Sequence, residues 1–405
     1  MTCQAFRACP VCEALCVEPL HTQRFVLPLN HPLSEGYDVV ECVACGFVYA
    51  DVRAAQVDYD RFYAELSKYD DAATSTGAGE SPYDRARLAE SARLIEEITG
   101  NRGARVLDIG CAGGGLLSAL ADRGFRNLVG VDPSPQCARQ TRERIGEAYA
   151  GWVTSMPSGI GRFDCIVLSH VMEHVLDVPA AIAAFRTLLS EAGRVWIEVP
   201  DAARYAAHIY APFQDFNTEH INHFSAASLD QAMELRGYRA LGGGERLLHS
   251  SAHTFTPAVY RAFSWDGECR AVEPDSRLGP AIRRYIERSA LLMRRIEESI
   301  AAALAESDEV VVWGAGQLAL KLLAETSLGR ARIAAFVDSN PVHQRKQLAG
   351  APIVAPAEAH AYMQPILVAT MLHHREISEQ IQMLGLQNPV VLLPEGGPAF
   401  FGDTE

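Results

Sequence analysis

The sequence predicts an α/β chain in which two Rossmann-like units follow a small N-terminal module rich in paired cysteines. Three observations predict it. Two C-x2-C pairs stand at Cys9/Cys12 and Cys42/Cys45. Residues 104–115 (ARVLDIGCAGGG) read as an apolar strand that runs into a glycine turn and then a helix. The same strand–turn–helix grammar returns at residues 309–317 (EVVVWGAGQ).

Bulk composition narrows the functions available. At 405 residues the chain is long enough for two or three domains, each with its own core. Fifty acidic residues against thirty-six basic ones leave a formal net charge of −14, which argues against a nucleic-acid or anionic-membrane partner. No stretch reaches the roughly 18 uninterrupted apolar residues of a membrane span, and the start, Met1-Thr2-Cys3-Gln4, lacks a signal-peptide layout. A cytoplasmic location is expected.

Six of the ten cysteines fall within the first 45 residues. Each C-x2-C makes a knuckle that points two thiolates at one centre, and two knuckles complete a tetrahedron around Zn²⁺. Cys9, Cys12, Cys42 and Cys45 are therefore the expected ligands of a structural zinc, in a module spanning residues 1–70. Cys3 and Cys16 break the pattern. No histidine sits at ligand spacing inside either knuckle, which argues against an open catalytic site.

The Gly/Ser/Thr-rich stretch 72–81 (AATSTGAGES) separates this module from a helix expected over 83–100. Beyond it, the glycine turn after Asp108 lets the backbone approach a ligand closely, and the following helix presents free N–H groups. A second strand, 128–132 (LVGVD), ends in Asp132, placed to bind ribose hydroxyls at the carboxyl edge of an open parallel sheet. Residues 163–169 and 193–199 read as the fourth and fifth strands. The turn LDIGCAGGG resembles motif I of class I S-adenosylmethionine methyltransferases, with Ala112 in place of the commonest middle glycine. That resemblance implies Asp108, Gly110 and Gly114 near the methionine part of the cofactor, Asp132 on its ribose, and Met156 with Ser155 beside its adenine. A dinucleotide-binding domain, or an α/β core that binds nothing, is the alternative reading of this core, which is expected over 71–245.

Two histidine-bearing segments lie at the ends of the fourth and fifth strands. Residues 169–174 (SHVMEH) contain H-x-x-E-H, the inverted zinc-protease pattern, but at the end of a strand where a methyl acceptor would be met. His174 is read there as a catalytic or substrate-contacting residue. Residues 216–224 (FNTEHINHF) concentrate Glu219, His220 and His223 among aromatics, and imidazole is well suited to moving a proton near neutral pH. Partly buried histidines that merely fix the loop are the bland alternative.

Cysteine knuckles, a class I core, a Glu-His turn and a second α/β domain recur in this order in the nucleotide-sugar C-methyltransferases, and the chain resembles that family over essentially its whole length. The resemblance implies a 4-keto-deoxysugar on a nucleotide diphosphate as acceptor, His220 as general base, Glu219 as its neighbour orienting sugar or imidazole, and His174 in the active site. The family commonly has tyrosine and histidine before the Glu-His pair, where this chain has Asn217 and Thr218. Asn217 and His223 are expected to contact the acceptor, with Tyr69 or Tyr83 supplying a phenol.

The C-terminal region, expected over 246–405, opens with two helical stretches across 278–306. It continues with the 309–317 turn, a strand ending at Asp338, and later strands near 366–370 and 390–393. The resemblance implies nucleotide-sugar binding here through Gly314, Gly316 and Asp338. Arg345 and Lys346 are candidate phosphate contacts, and a degenerate packing domain or an NAD-dependent oxidoreductase domain is the alternative. The chain as a whole reads as an S-adenosylmethionine-dependent methyltransferase, with O-methylation of a hydroxylated small molecule and a non-catalytic nucleotide-binding scaffold as the rivals.

Overall fold

The computed structural model describes residues 2–66, 77–250, 254–271 and 273–401. Tyr69 lies outside the described residues, as does the expected boundary at 70/71. The chain folds as two compact units. The first comprises Met1–Leu20, Val39–Arg204 and Glu219–Pro280; the second comprises His21–Asp38, Tyr205–Thr218 and Ala281–Glu405.

The N-terminal strands are β1 (Cys3–Gln4), β2 (Cys16–Arg24), β3 (Gly36–Cys42) and β4 (Val48–Asp51). Two helices follow, α1 (Gln56–Glu65) and α2 (Pro82–Thr99). Local chemistry sets the ends of α2. The Ser81 side chain accepts the Asp84 N–H, Pro82 occupies the first turn, and Gly100 closes the helix at φ 62°.

The core alternates strand and helix: β5 (Arg105–Ile109), α3 (Gly115–Asp122), β6 (Asn127–Asp132), α4 (Pro135–Ile145), β7 (Ala148–Ala150), β8 (Phe163–Ser169), α5 (Val178–Leu188) and β9 (Leu189–Pro200). After β10 (Asn222–His223) and α6 (Ala226–Glu234), the strands β11 (Tyr238–His249) and β12 (Phe255–Trp265) return to the same sheet. Its order is β11-β12-β9-β8-β5-β6-β7. The five strands from β9 to β7 are parallel, while β12 joins β9 antiparallel. Succession runs outward from β5 in both directions, so the crevice at its carboxyl end is the topological switch point where α/β sheets bind ligands. Because β11 spans position 245, a domain boundary at 245/246 would cut a strand of this sheet. Leu88, Ala92 and Ile95 of α2 pack with Leu116, Leu117 and Leu120 of α3 on Val106, Val167 and Trp196.

β10 does not join the core. It pairs antiparallel with β4, Asn222 opposite Tyr49 and His223 opposite Val48, which completes a five-stranded sheet of order β1-β2-β3-β4-β10.

The two helical stretches expected over 278–306 are one helix, α7 (Leu278–Glu306). No proline interrupts its interior after Pro280, so the backbone hydrogen bonds run through. The second unit continues with β13 (Glu309–Trp313), α8 (Gln317–Glu325), β14 (Arg332–Val337), β15 (Gln347–Leu348), β16 (Ala351–Val354), β17 (Ile366–Val368), α9 (His374–Met383) and β18 (Val390–Leu392). These strands form a sheet of order β15-β16-β14-β13-β17-β18, parallel except for β15. Val311, Trp313, Val337, Val368 and Ile381 make its core. No helix among the described residues is long and apolar enough to cross a membrane.

Candidate functional site

The four knuckle cysteines converge. Cys9 Sγ lies 3.6 Å from Cys45 Sγ, and Cys12 Sγ lies 3.5 Å from Cys42 Sγ. Zinc–sulfur bonds of about 2.3 Å put neighbouring sulfurs of a tetrahedron about 3.8 Å apart, so the donor set fits a metal site of four thiolates. The two knuckles share one design. Glu13 at φ 63° and Gly46 at φ 75° follow the second cysteine of each pair, and each donates its N–H to the first cysteine's carbonyl. A side chain at position 46 would also meet the Asp275 carbonyl at 2.4 Å.

The glycine turn after β5 leaves a cradle at the switch point. Gly110 (φ 75°) and Gly114 (φ 80°) stand where an added Cβ would meet Val171 Cγ2 at 2.5 Å and Thr141 Oγ1 at 2.9 Å. Ala112, at φ 45°, keeps the turn because its backbone is held on both sides. Its N–H donates to Asp132 Oδ2 (2.9 Å) and its carbonyl accepts from Thr141 Oγ1 (2.8 Å). Ser134 N–H donates to Asp132 Oδ1 at 2.8 Å, which aims the carboxylate. Burial, reinforced by the neighbouring charge of Asp132, pushes the Asp108 carboxyl up to about 8. A buried carboxyl at this edge suits an incoming ammonium group. Gly151 N–H donates to the Asp132 carbonyl, and a turn at Trp152–Ser155 leads to the half-buried Met156.

Asp84 was not singled out by the sequence, although its position as a cap residue three after Ser81 is a legible signal. Its Oδ2 accepts the N–H groups of Gly77 and Gly79, both at 2.8 Å, and Arg87 pairs with its Oδ1. The Gly77 carbonyl in turn accepts Gly115 N–H, so residues 77–79 lie over the glycine turn.

At the end of β8 the chain bends through His170, at φ 57°. Its ring lies between Glu173 Oε1 (3.4 Å) and Glu198 Oε1 (3.5 Å). Burial pulls the imidazole down, but the polar contact and charge of the two carboxylates outweigh it and raise it to about 9. Arg246 closes the network on Glu198 at 3.0 Å. His174 keeps its Nε2 3.9 Å from Glu173 Oε1 and turns its other ring nitrogen to the histidine loop. Its Nδ1 donates to the Glu219 carbonyl at 3.1 Å, and its ring meets His220 edge to face at 4.8 Å. The two histidines of H-x-x-E-H therefore share Glu173 and differ in their second partner, Glu198 for His170 and the Glu219 carbonyl for His174. Tyr63 presents its ring edge to His174 at 6.4 Å.

The structure brings together His174, Glu219 and His220, and adds Glu173, whose carboxylate is 1% exposed. His223 does not join them. It is 0% exposed in β10, and burial followed by the charge of Arg7 lowers it to about 3. It is a neutral core histidine without accessible surface. Asn217 belongs to the second unit, where its carbonyl accepts the Tyr37 hydroxyl. Tyr83, in the first turn of α2, sets its ring against His249 at 5.0 Å.

The second unit repeats the carboxylate geometry of the first. Ala315 N–H donates to Asp338 Oδ2 and Asn340 N–H to Asp338 Oδ1, both at 2.8 Å, as Ala112 and Ser134 do on Asp132. His343 adds an ion pair at 3.2 Å, and together these partners hold Asp338 low against its burial. Gly314 turns at φ 105°, and Gly316 opens α8 with nothing within 4 Å of an added Cβ. Arg345 and Lys346 are exposed. His374 is bound to the Met371 carbonyl and to Glu395, a local structural role.

Residues 83–241 match the family described as "Methyltransferase domain", and residues 306–392 match "C2185-like, N-terminal". Among curated proteins, the chain is 30% identical to an uncharacterized 37.1 kDa protein in transposon TN4556 of Streptomyces fradiae, over 29% of this chain and 36% of that protein. It is 30% identical to a ubiquinone biosynthesis O-methyltransferase of Pseudomonas aeruginosa (strain UCBPP-PA14), over 33% of this chain and 62% of that enzyme. The chain thus spans less than two thirds of either relative. Among solved structures it is similar to the CcbJ methyltransferase from Streptomyces caelestis, at 13% identity and a TM-score of 0.38, covering 50% of this chain and 99% of that one. The match to the methyltransferase-domain family coincides with the strands, glycine turn and acids that build the switch-point cradle on this Rossmann-like α/β core.

Proposed function

We propose that the chain is an S-adenosylmethionine-dependent methyltransferase that methylates a carbon beside the ketone of a nucleotide-linked keto-deoxysugar, with His220 as general base. One observation carries the reading: His174 and His220 meet edge to face at 4.8 Å, in the segments after β8 and before β10. The first of these segments packs Val171 on the glycine turn at Gly110.

Bound S-adenosylmethionine supplies an electrophilic methyl group. The residues that would hold it are Asp108 and Gly110 at the methionine part, Gly114 at the turn, Asp132 at the ribose, and Ser155 and Met156 at the adenine. A carbon next to a ketone becomes nucleophilic when its proton leaves, and His220 takes that proton. The bond from His174 Nδ1 to the Glu219 carbonyl fixes one imidazole beside the other and orients the loop. Tyr63, whose ring meets that of His174 at 6.4 Å, is a further candidate phenol beside Tyr69 and Tyr83. Gly314, Gly316 and Asp338 bind the nucleotide, a role supported by the match between the Asp338 and Asp132 geometries. Zinc in the four-cysteine site is structural, because four thiolates leave it no open position.

His220→Ala is expected to keep S-adenosylhomocysteine binding while turnover falls about 10²-fold or more. Unchanged turnover would sink the assignment. The O-methyltransferase match in Pseudomonas aeruginosa favours a second reading, methyl transfer to a hydroxyl. Deuterium uptake at the acceptor carbon without cofactor separates them: exchange supports the carbon acid, and its absence favours oxygen.

A further inference from the structure

We infer that Glu173, His174 and His220 form a second metal site, a two-histidine, one-carboxylate set for a divalent transition metal. A carboxylate oxygen of Glu173 and one ring nitrogen from each histidine all lie within 4.8 Å of one another. Glu173 Oε1 and His174 Nε2 are 3.9 Å apart. Bonds of about 2.1 Å in a tetrahedral set separate neighbouring donors by about 3.4 Å, so a shift of roughly half an ångström brings this pair into range.

Two further observations point to a cation. Glu173 is 1% exposed, and neither of its carboxylate oxygens makes a hydrogen bond of ordinary geometry. The nearest nitrogens are His170 Nδ1 at 3.4 Å, on a ring shared with Glu198, and His174 Nε2. The charged ring of His170 offsets part of this burial, and a metal would complete the surroundings of oxygens that no hydrogen bond of ordinary geometry satisfies. Secondly, His174 Nδ1 faces the Glu219 carbonyl at 3.1 Å and must carry the proton. That leaves the Nε2 lone pair on the side of Glu173. A metal-binding histidine is held in this way, one ring nitrogen donating to a carbonyl and the other free to coordinate. His220 is only half-buried.

A nitrogen-rich set with one carboxylate selects Zn²⁺, Ni²⁺ or Co²⁺ over Mg²⁺ or Ca²⁺. The inference shares His220 with the proposed general base, and it predicts that the two states exclude each other. A metal on His220 takes the lone pair that proton abstraction needs, so occupancy inhibits methyl transfer.

The test is calorimetric titration of the full-length protein, with the metal of its four-cysteine site retained, using Ni²⁺ alone. One saturable equivalent is expected, weakened at least about tenfold by Glu173→Gln, the loss of one ligand. No saturable Ni²⁺ equivalent in the wild type, or an unchanged affinity in Glu173→Gln, overturns the site. Should Glu173→Gln fail to fold, the visible spectrum of Co²⁺ added to the wild type decides. Absorption without thiolate charge-transfer bands supports nitrogen and oxygen ligands, and thiolate bands overturn the site by assigning the metal to the cysteines. Neither readout uses turnover, so a failed metal site leaves the His220→Ala result standing, and the reverse.

Discussion

The guanidinium of Arg7 lies 2.9 Å from Asn222 Oδ1, a contact across 215 residues of sequence that ties the N-terminal cysteine module to the histidine loop. The same guanidinium donates to the carbonyls of Val175, Leu176, Ile221 and Ala50. Asn222 returns its own amide to the Met172 and Val175 carbonyls. One arginine near the N-terminus thus satisfies backbone from the segments just after His174 and His220. Burial lowers it to about 10, so it stays charged at neutral pH.

Arg7→Met should remove a donor from five acceptors, of which the Val175 and Ile221 carbonyls keep a second, and cost about 2–3 kcal/mol. Urea unfolding should record that loss. Turnover should fall while S-adenosylhomocysteine affinity stays within about threefold, because the damage falls on the histidine loop. An equal loss of both would mean that Arg7 supports the whole core.

Cys45→Ser should release the metal and lower the unfolding midpoint by roughly 10 °C or more, as expected when a structural metal is lost. Elemental analysis and calorimetric scanning check it. Cys45 stands three residues before β4, which pairs with β10 beside His220, so activity should fall together with metal content.

Gly110→Ala should cost about 1–3 kcal/mol, since φ 75° and Val171 at 2.5 Å both oppose a side chain. It should weaken cofactor binding as well. Gly316→Ala, at an open position with an ordinary backbone, should be neutral in stability. If it nevertheless weakens nucleotide-sugar binding, a ligand approaches α8 closely; unchanged binding would remove Gly316 from the site.

Asp108 gives the pH dependence. Its folded value, about 8, is raised above the ordinary 3.8, so the empty fold favours the protonated form. Stability of the ligand-free protein is therefore progressively lost as pH rises from the unfolded value through the folded one. An ammonium group needs the ionised form, so cofactor binding releases a proton below pH 8. Affinity for S-adenosylhomocysteine should then rise with pH, by up to about tenfold per unit, and level off above 8. Asp108→Asn should abolish that slope and stabilise the empty protein at alkaline pH. A pH-independent affinity in the wild type would count against the pairing.

Much of this protein was legible in the amino-acid order because the signals are local. Strand–turn–helix grammar located β5, β6, β8 and β13 to within a few residues, since a glycine turn needs its positive φ next to the strand that feeds it. The C-x2-C pairs announced a metal geometry because three-residue spacing alone aims two thiolates together. Asp132 was legible for a similar reason: it ends a strand at a recognisable interval after Asp108.

Other features depend on which distant segments meet. His220 and His223 are three residues apart and look alike in sequence, yet one is half-buried beside His174 and the other lies fully buried in β10. The pairing of β10 with β4 separates them, and no local signal encodes it. Glu173 looked like part of a protease pattern until the fold set the His170 ring between it and Glu198 and brought His174 and His220 to the same carboxylate. Local backbone preference and spacing were enough to write the strands, turns and knuckles into the sequence. Burial and partnership, which decide what an ionisable side chain does, arise from long-range packing and were settled only by the tertiary structure.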